Sequence, residues 1–458
     1  MSTTTSTSGT PVRPDGECGA YAELAGAAAR LNEEAAARGA ASEVWAARQD
    51  VAEAVLVRGA VERHSTVTTS VAALTVRKDG HEGYVVHSPA GRHDPDLVDT
   101  ALAMGRTLPA ADAPPAADGP SAIQASDAPE ARIDEATLER LRRLSDGPAD
   151  VGIELRARAD HGCVLLQRGG TAPLPRGMDT FQLQARLTAK GERVGYIGHH
   201  VFGRDAEDTL AAAEARELPE LVQLARVLAT EPVPDPAYDD VLVDGRVLAR
   251  LLMLAVPAFL LDSVLEGRSP LAGRVAERIA AAGVSLTDDP TDPDSPLYEP
   301  WDDEGAPCGR TVLIDDGVLR GFLSSRRTAA EAGGRSSGSG RRGPMGEMAT
   351  VQPGYLRLRP GPELGDRPAE GRTLLKVVQA NGAHISNAIT GDFSIGANAV
   401  LVAADGGQRN AGSLTLAGNV FDLLRHVDGH DGRVRVIRSH HSFVATPGVW
   451  TSRLTVGR

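Results

Sequence analysis

Apolar positions change period several times along the chain. From residue 20 to 38 they recur at helical spacing in an Ala, Leu, Glu and Arg background. Residues 43–86 then alternate as strands do, in pieces such as 51–57, 65–76 and 83–86, with Asp79-Gly80 as a hairpin turn. Residues 95–108 return to helix, and 107–131, rich in Ala, Pro and Asp, read as a linker or surface excursion. A second round follows. Residues 134–145 are helical, with Asp134 placed to cap them; 151–158, 163–167, 181–188 and 193–201 are strands, and 206–228 form a long amphipathic helix. Two rounds of helix, strands, helix predict an N-terminal α/β region over 18–230 with a pseudo-repeat. Residues 1–17, poor in apolar side chains, predict a disordered tail.

The run Glu231-Pro232-Val233-Pro234-Asp235-Pro236 reads as a rigid linker. Beyond it, over 237–458, helices at 248–265 and 271–282 lead into strand-and-turn sequence. Strands are expected at 310–314, 319–323, 374–378, 398–403, 413–417, 434–437 and 453–456. Glycine turns at Asp316-Gly317, Asn381-Gly382 and Asp405-Gly406 point to antiparallel pairing, and a helix at 420–426 starts from Asn419. The expected fold class is α+β: an N-terminal α/β region and a C-terminal, mainly antiparallel β domain with a few helices.

Composition narrows the function more than the fold. The 458 residues are 41% hydrophobic and 24% charged, ordinary for globular domains, with 50 glycines and 29 prolines for turns. The formal net charge is −13, and the one dense basic run, 335–342, lies in Gly/Ser-rich sequence and reads as a solvated loop. A chain that depends on phosphate contacts needs a basic face, so nucleic acid is excluded as a partner. The apolar run at 248–265 is broken by Arg250, Pro257 and Asp262 and reads as a buried helix, not a bilayer span. Cys18, Cys163 and Cys308 are odd in number and far apart, which fits a reducing cytoplasm; Met1–Thr10 has no signal-peptide pattern.

Hydrolytic metal chemistry needs nitrogen, sulfur or oxygen ligands around an open position, and a carboxylate to handle the proton. The chain has no histidine between His200 and His384, and no glutamate between Glu231 and Glu266. His426, His430, His440 and His441 fall within sixteen residues, but His430 sits in a turn-like Asp-Gly-His-Asp-Gly, and adjacent His440 and His441 would face opposite sides of a strand. His199-His200 meets the same objection. Cys308 follows a Gly-Ala-Pro turn with no histidine near in sequence and reads as a structural thiol. The acidic groups Asp288-Asp289 and Asp302-Asp303-Glu304 read as turn caps or solvent-facing runs.

The order of landmarks resembles the TldD/TldE (PmbA) metallopeptidase family. The landmarks are the apolar helix at 251–261, then Asp262-Ser263-Val264-Leu265-Glu266-Gly267 and Ser269-Pro270-Leu271-Ala272-Gly273. Asp288-Asp289, the turn from Asp302 to Pro307 and the hairpin at 310–319 follow. Ser336–Arg342, Thr390-Gly391-Asp392-Phe393-Ser394-Ile395-Gly396 and Leu416–Leu424 complete the series. The catalytic branch of that family carries His-Glu-x-x-x-His on the helix and a cysteine ligand in a later Gly-Cys-Gly turn. In this chain those places fall near 252–257 and 436–442, where the residues are apolar or lack a cysteine.

The resemblance implies a non-catalytic, metal-free TldE-like subunit of a cytoplasmic zinc metallopeptidase complex that processes peptides. It implies no cofactor in this chain, zinc in a TldD-type partner, and a hetero-oligomer, with a homodimer as the alternative. No catalytic residue is expected. Asp302, Asp303, Glu304 and Gly305, with Thr390, Gly391, Asp392 and Phe393, are expected near the substrate cavity or the partner interface. Two rival readings stay open. One is a self-sufficient hydrolase with a relocated metal site at His426, His430, His440 and His441; the other is a peptide-binding modulator without turnover.

Overall fold

The computed structural model describes residues 19–88, 94–107, 132–381, 387–439, 442–452 and 454–457. The tail at 1–17, nearly all of the 107–131 excursion, and His440 and His441 lie outside them. The N-terminal region is one antiparallel sheet flanked by helices, and the repeated order is visible in it. Helix α1 (Gly19–Ala37) precedes β1 (Ala41–Val57), β2 (Ala60–Lys78) and β3 (His81–His87), then α2 (Leu97–Ala103) and the short β4 (Arg106–Thr107). The second round is α3 (Glu135–Asp146), β5 (Val151–Arg168), β6 (Leu174–Gly177), β7 (Thr180–Lys190) and β8 (Val194–Gly203). It closes with α4 (Ala206–Ala212) and α5 (Leu218–Leu228), joined by a π-helical turn at Ala213–Glu217.

Among the described residues the main path of the sheet is β4-β3-β2-β1-β5-β7-β8, so the first strand of each round meets the other at its centre. Asp79 and Gly80 both take positive φ (51° and 74°), the geometry of a two-residue hairpin that follows the strand twist. Asp134 caps α3 by accepting from the Thr137 amide at 2.8 Å. The two strands expected at 151–158 and 163–167 are one continuous β5, because pairing with β1 runs unbroken from Val57–Glu154 to Glu43–Arg168.

The C-terminal region opens with β9 (Asp240–Val243) and α6 (Gly245–Ala255). The helix expected over 248–265 is shorter than that. Pro257 turns the chain into a 3-10 segment (Val256–Phe259), Leu260 is extended at φ −93°, ψ 131°, and α7 (Leu261–Leu265) starts afresh. The helix expected over 271–282 does not form. There the main chain is held by tertiary partners, Ala276 to the Leu319 carbonyl and Ile279 to that of Gly317, and Ala276 takes φ 73°, outside helical geometry.

The remaining strands are β10 (Val284–Asp288), β11 (Thr311–Asp315), β12 (Val318–Leu319), β13 (Gly340–Arg341), β14 (Thr350–Val351), β15 (Tyr355–Pro360) and β16 (Thr373–Asn381). Then come β17 (Asp392–Ala403), β18 (Gln408–Asn419), β19 (Val427–His430), β20 (Arg435–Ser439), β21 (Ser442–Thr446), β22 (Val449–Thr451) and β23 (Thr455–Gly457). Helices α8 (Arg326–Glu331) and α9 (Val420–Arg425) interrupt them, and Asn419 caps α9 through the Phe421 and Asp422 amides. The strands form sheets ordered β12-β11-β10-β15-β21-β20 and β19-β22-β9-β16-β17-β18-β23, with β13 and β14 paired separately. Pairing is antiparallel except at β15–β21 and β9–β16. The overall class is α+β.

Helix α6 is buried in the main C-terminal core, with Val247, Leu248, Leu251, Leu252 and Ala255 packed among Leu375, Val377, Val444 and Leu424. The N-terminal core also takes in Leu242, Leu374, Val400 and Trp450, so the two regions share packed apolar surface. Among the described residues no helix is long and apolar enough to cross a membrane.

Candidate functional site

Helix α6 presents one face outward. Arg246, Val247, Arg250, Met253 and Leu254 follow i, i+1, i+4, i+7, i+8 spacing and line a cleft of about 310 Å³. The opposite walls are β8, with Gly198, His199 and His200, and the ends of β16 and β20, with Val378, Gln379, Ala380, Ile437, Arg438 and Ser439. An adjoining cleft of about 610 Å³ shares the two histidines and continues along the π-turn and the chain from Gly432 to Val436. The first cleft therefore joins two places where the family resemblance expects metal ligands. Met253 and Leu254 come from one and Ile437, Arg438 and Ser439 from the other, and none of these five lining side chains is a histidine, cysteine or carboxylate. Among the described residues no three His, Cys, Asp or Glu side chains converge as a metal site. The donors that these described residues bring to the cleft do not fit zinc.

Under the cleft lies a balanced set of buried charges. Arg246 reaches Glu217 (3.3 Å), Glu220 (3.0 Å) and Asp244 (3.3 Å); Arg435 pairs with Glu217 (2.6 Å) and with Glu220; Lys376 lies 3.6 Å from Glu220 and 3.5 Å from Asp244. Burial opposes the Asp244 charge, but Arg246, Lys376 and Arg435 outweigh it and hold the carboxyl well below the usual range. The π-turn places Glu217 in this set, and such one-residue insertions are often kept for the side chain they re-aim.

The two histidines above are neutral at pH 7. Burial, then the charges of Arg246 and Arg435, push His199 well below its ordinary value; its Nε2 lies 3.8 Å from Glu217, too long for a hydrogen bond. Burial, then Arg250 and Arg186, bring His200 to about 4, and its Nδ1 meets Gln182 at 3.2 Å.

Arg250 differs from Arg246, one turn before it. Its Nη1 donates to the Ala380 carbonyl at 2.9 Å, and among the described residues no carboxylate pairs with it. Desolvation by the cleft walls lowers its pKa, with only the Tyr196 hydroxyl opposing.

The acidic turn lies elsewhere, at the junction of the two regions. Asp302 and Asp303 are 0% and 3% exposed. Asp302 Oδ1 accepts from the Glu304 and Ala306 amides and its Oδ2 from that of Gly340. Asp303 accepts from Trp45 Nε1 (3.0 Å), Arg176 Nη2 (2.6 Å) and the Arg342 amide (2.8 Å). Arg176 also stacks on Trp301 at 5.0 Å, and Arg341 pairs with Glu299 at 2.9 Å. Gly305 sits against Leu166 and Arg168 of β5.

Several sequence expectations are corrected here. The acidic groups do cap turns, as Asp288 also does for Gly354 and Tyr355, but Asp288, Asp302 and Asp303 are buried, not solvent-facing. The basic run at 335–342 is not a solvated loop at its end, because Arg341 and Arg342 are interior partners of Glu299 and Glu43. Cys308 is half-buried and donates to the Gly338 carbonyl; burial pushes its thiol well up, against nucleophilic use.

Asp302 and Glu304 give a measurable pH dependence. Burial raises Asp302 to about 6, and burial with the Asp302 charge raises Glu304 to about 7. As pH rises past the usual carboxyl range the unfolded chain releases these protons before the folded one does. Their contribution to stability is therefore full below about pH 4 and is lost as pH climbs to about 7. Glu304→Gln keeps one acceptor for the Arg326 amide, so thermal melts from pH 5 to 8 should show a shallower decline in the variant. Parallel curves for the two proteins would refute the assignment.

Thr390, Gly391, Asp392 and Phe393 form a separate turn. Thr390 and Asn419 bond the Asp392 carboxylate at 2.6 and 2.8 Å, Gly391 lies against the Phe421 ring, and Phe393 is buried in the C-terminal core. None of them lines the cleft beside α6. His426 follows the end of α9 and bonds the Asp422 carbonyl, while His430 ends β19 and accepts from the Gly432 amide, so the two are not on one helix. His199, His200, Arg250 and Arg438 were not singled out as site residues by sequence. Their elements are far apart in the chain, and only the sheet ends bring them together.

Residues 237–458 match the profile of the PmbA/TldA metallopeptidase C-terminal domain. A protein named metalloprotease from Methanothermobacter thermautotrophicus is 32% identical over 209 residues, 44% of this chain and 45% of that one. Another so named, from Archaeoglobus fulgidus, is 30% identical over 167 residues, 36% of this chain and 39% of that one. The matches thus span less than half the length of these curated relatives. The crystal structure of TldE from Thermococcus kodakarensis superposes with a TM-score of 0.77 at 20% identity, over 94% of this chain and 99% of that one, a likeness of fold. The fold and the C-terminal sequence define a metallopeptidase-like protein. Its residues 237–458 carry the C-terminal domain of the TldD/TldE (PmbA) family.

Proposed function

We propose that this chain is the non-catalytic, TldE-like subunit of a cytoplasmic peptidase pair, in which a TldD-type partner carries the zinc and both subunits enclose the peptide. The observation that carries this reading is the cleft beside α6. It gathers the positions where a catalytic relative would place its ligands and fills them with Met253, Leu254, Ile437, Arg438 and Ser439. A zinc site needs three protein ligands or more and an open position, and these side chains provide none. A cleft at these positions whose lining lacks metal ligands fits a subunit whose role is to form cavity wall and support a partner.

Co-expression with a TldD-type protein tests the reading. The two should elute together, and only the pair should cleave unfolded peptides, with metal analysis placing the zinc in the partner. Separate elution at micromolar concentration, or peptide cleavage by this chain alone, would overturn it.

A further inference from the structure

We propose that the cleft between β8, α6 and β20 binds the C-terminal carboxylate of a short peptide whose last side chain is apolar. The proposal goes beyond the partner reading and stands on this chain's own residues.

Three observations meet there. Arg250 has its guanidinium on the cleft wall, fixed by one hydrogen bond to the Ala380 carbonyl, with no carboxylate partner among the described residues. Arg246, on the same face of α6, shares three acidic partners, so the charge left for a ligand is at Arg250. The second wall carries another guanidinium, Arg438, held by Asp160 at 3.3 Å and over the Phe443 ring at 5.5 Å. Beside these two cations the lining includes the apolar side chains of Met253, Leu254 and Ile437.

Chemistry narrows the ligand. A partly desolvated guanidinium without a counter-charge is unfavourable, and its planar fork matches a carboxylate by two parallel hydrogen bonds. A hydrated inorganic anion would gain nothing from the apolar lining, whereas an aliphatic side chain beside the carboxylate would. His199 and His200, neutral at pH 7, add polarity without charge. The volume, about 310 Å³, is at the small end of ligand pockets and suits one or two residues.

Calorimetry on the purified full chain, without a partner, tests this with N-acetyl-alanyl-leucine and its C-terminal amide. The acid should bind and the amide should bind at least about tenfold more weakly. Arg250→Ala should weaken the acid about tenfold or more without moving the melting temperature, and Arg250→Lys should restore part of the loss. Leu254→Glu, which brings a carboxylate to the cleft, should abolish binding. Equal binding of acid and amide, unchanged affinity in Arg250→Ala, no binding at millimolar peptide, or acetate competing as well as the peptide would each overturn the proposal. Because no partner is present, these outcomes are distinct from failure of the subunit reading, which rests on co-elution.

Discussion

Replacing Asp303 by alanine is expected to destabilise the protein by about 3–5 kcal/mol, the range for removing one partner from a buried, hydrogen-bonded charge pair. This carboxylate receives three donors from two regions of the chain. Trp45 comes from β1 and Arg176 from β6, while the Arg342 amide belongs to the C-terminal region. Burial alone would raise its pKa, but Arg176, the Arg342 amide and Trp45 together hold it below the usual value, so it is charged at neutral pH. Alanine would leave Arg176 with Glu299 at 3.2 Å and the Trp301 carbonyl at 2.6 Å, but two donors would lose their acceptor inside a dry junction. Because Trp45 and Trp301 pack together there, the loss should loosen the two regions from one another as well as lower global stability. Urea unfolding at constant pH measures it. A change below about 1 kcal/mol, the scale of an exposed ion pair, would show that the junction is not held by this residue.

Local patterns in the sequence were legible where one short-range interaction decides the outcome. The Asp79-Gly80 hairpin, the Asp134 and Asn419 caps and most strands are of that kind, since turn chemistry, capping and alternation act over a few residues. The misreadings share a different cause. Residues 271–282 have helical composition but spend their amides on the carbonyls of Gly317 and Leu319, and tertiary partners override propensity. Arg341 and Arg342 lie in Gly- and Ser-rich sequence and Asp302 in an acidic turn, yet all three are interior, with partners 38 to 299 residues away among those that hold them. The same distance hid the cleft. His199 and His200, Arg250, and Ile437 to Ser439 come from three elements that no sequence window contains. What sequence did supply was the pair of places on α6 and near β20 where ligands are absent; the fold adds that these two places face the same space.

Gly195→Ala should be the most disruptive single methyl addition along the cleft wall, costing about 3 kcal/mol or more. Gly195 is in β8, where it faces α5. A Cβ there would lie 2.1 Å from the Ala225 carbonyl oxygen, 2.6 Å from the Ala229 amide nitrogen and 2.9 Å from the Leu228 carbonyl carbon. All three are backbone atoms of the end of α5, so relief requires the helix itself to move and not a side-chain rotation. Ala225, Leu228 and Ala229 belong to the N-terminal core, and the π-turn that delivers Glu217 to the buried charges is the direct start of the same helix. A shift of α5 therefore reaches Glu217 and Glu220, and through them Arg246 and Arg435 under the cleft. Gly198, three residues on and across the strand, makes the internal comparison. Its added Cβ would meet the Ala185 carbonyl and the Tyr196 hydroxyl at 3.4 Å and Arg186 Cγ at 3.8 Å, all ordinary contacts, so Gly198→Ala should cost about 1 kcal/mol or less. Thermal and urea unfolding of the two variants should differ clearly, with Gly195→Ala the weaker fold. If both unfold alike, the close approach of β8 to α5 is not what positions this wall.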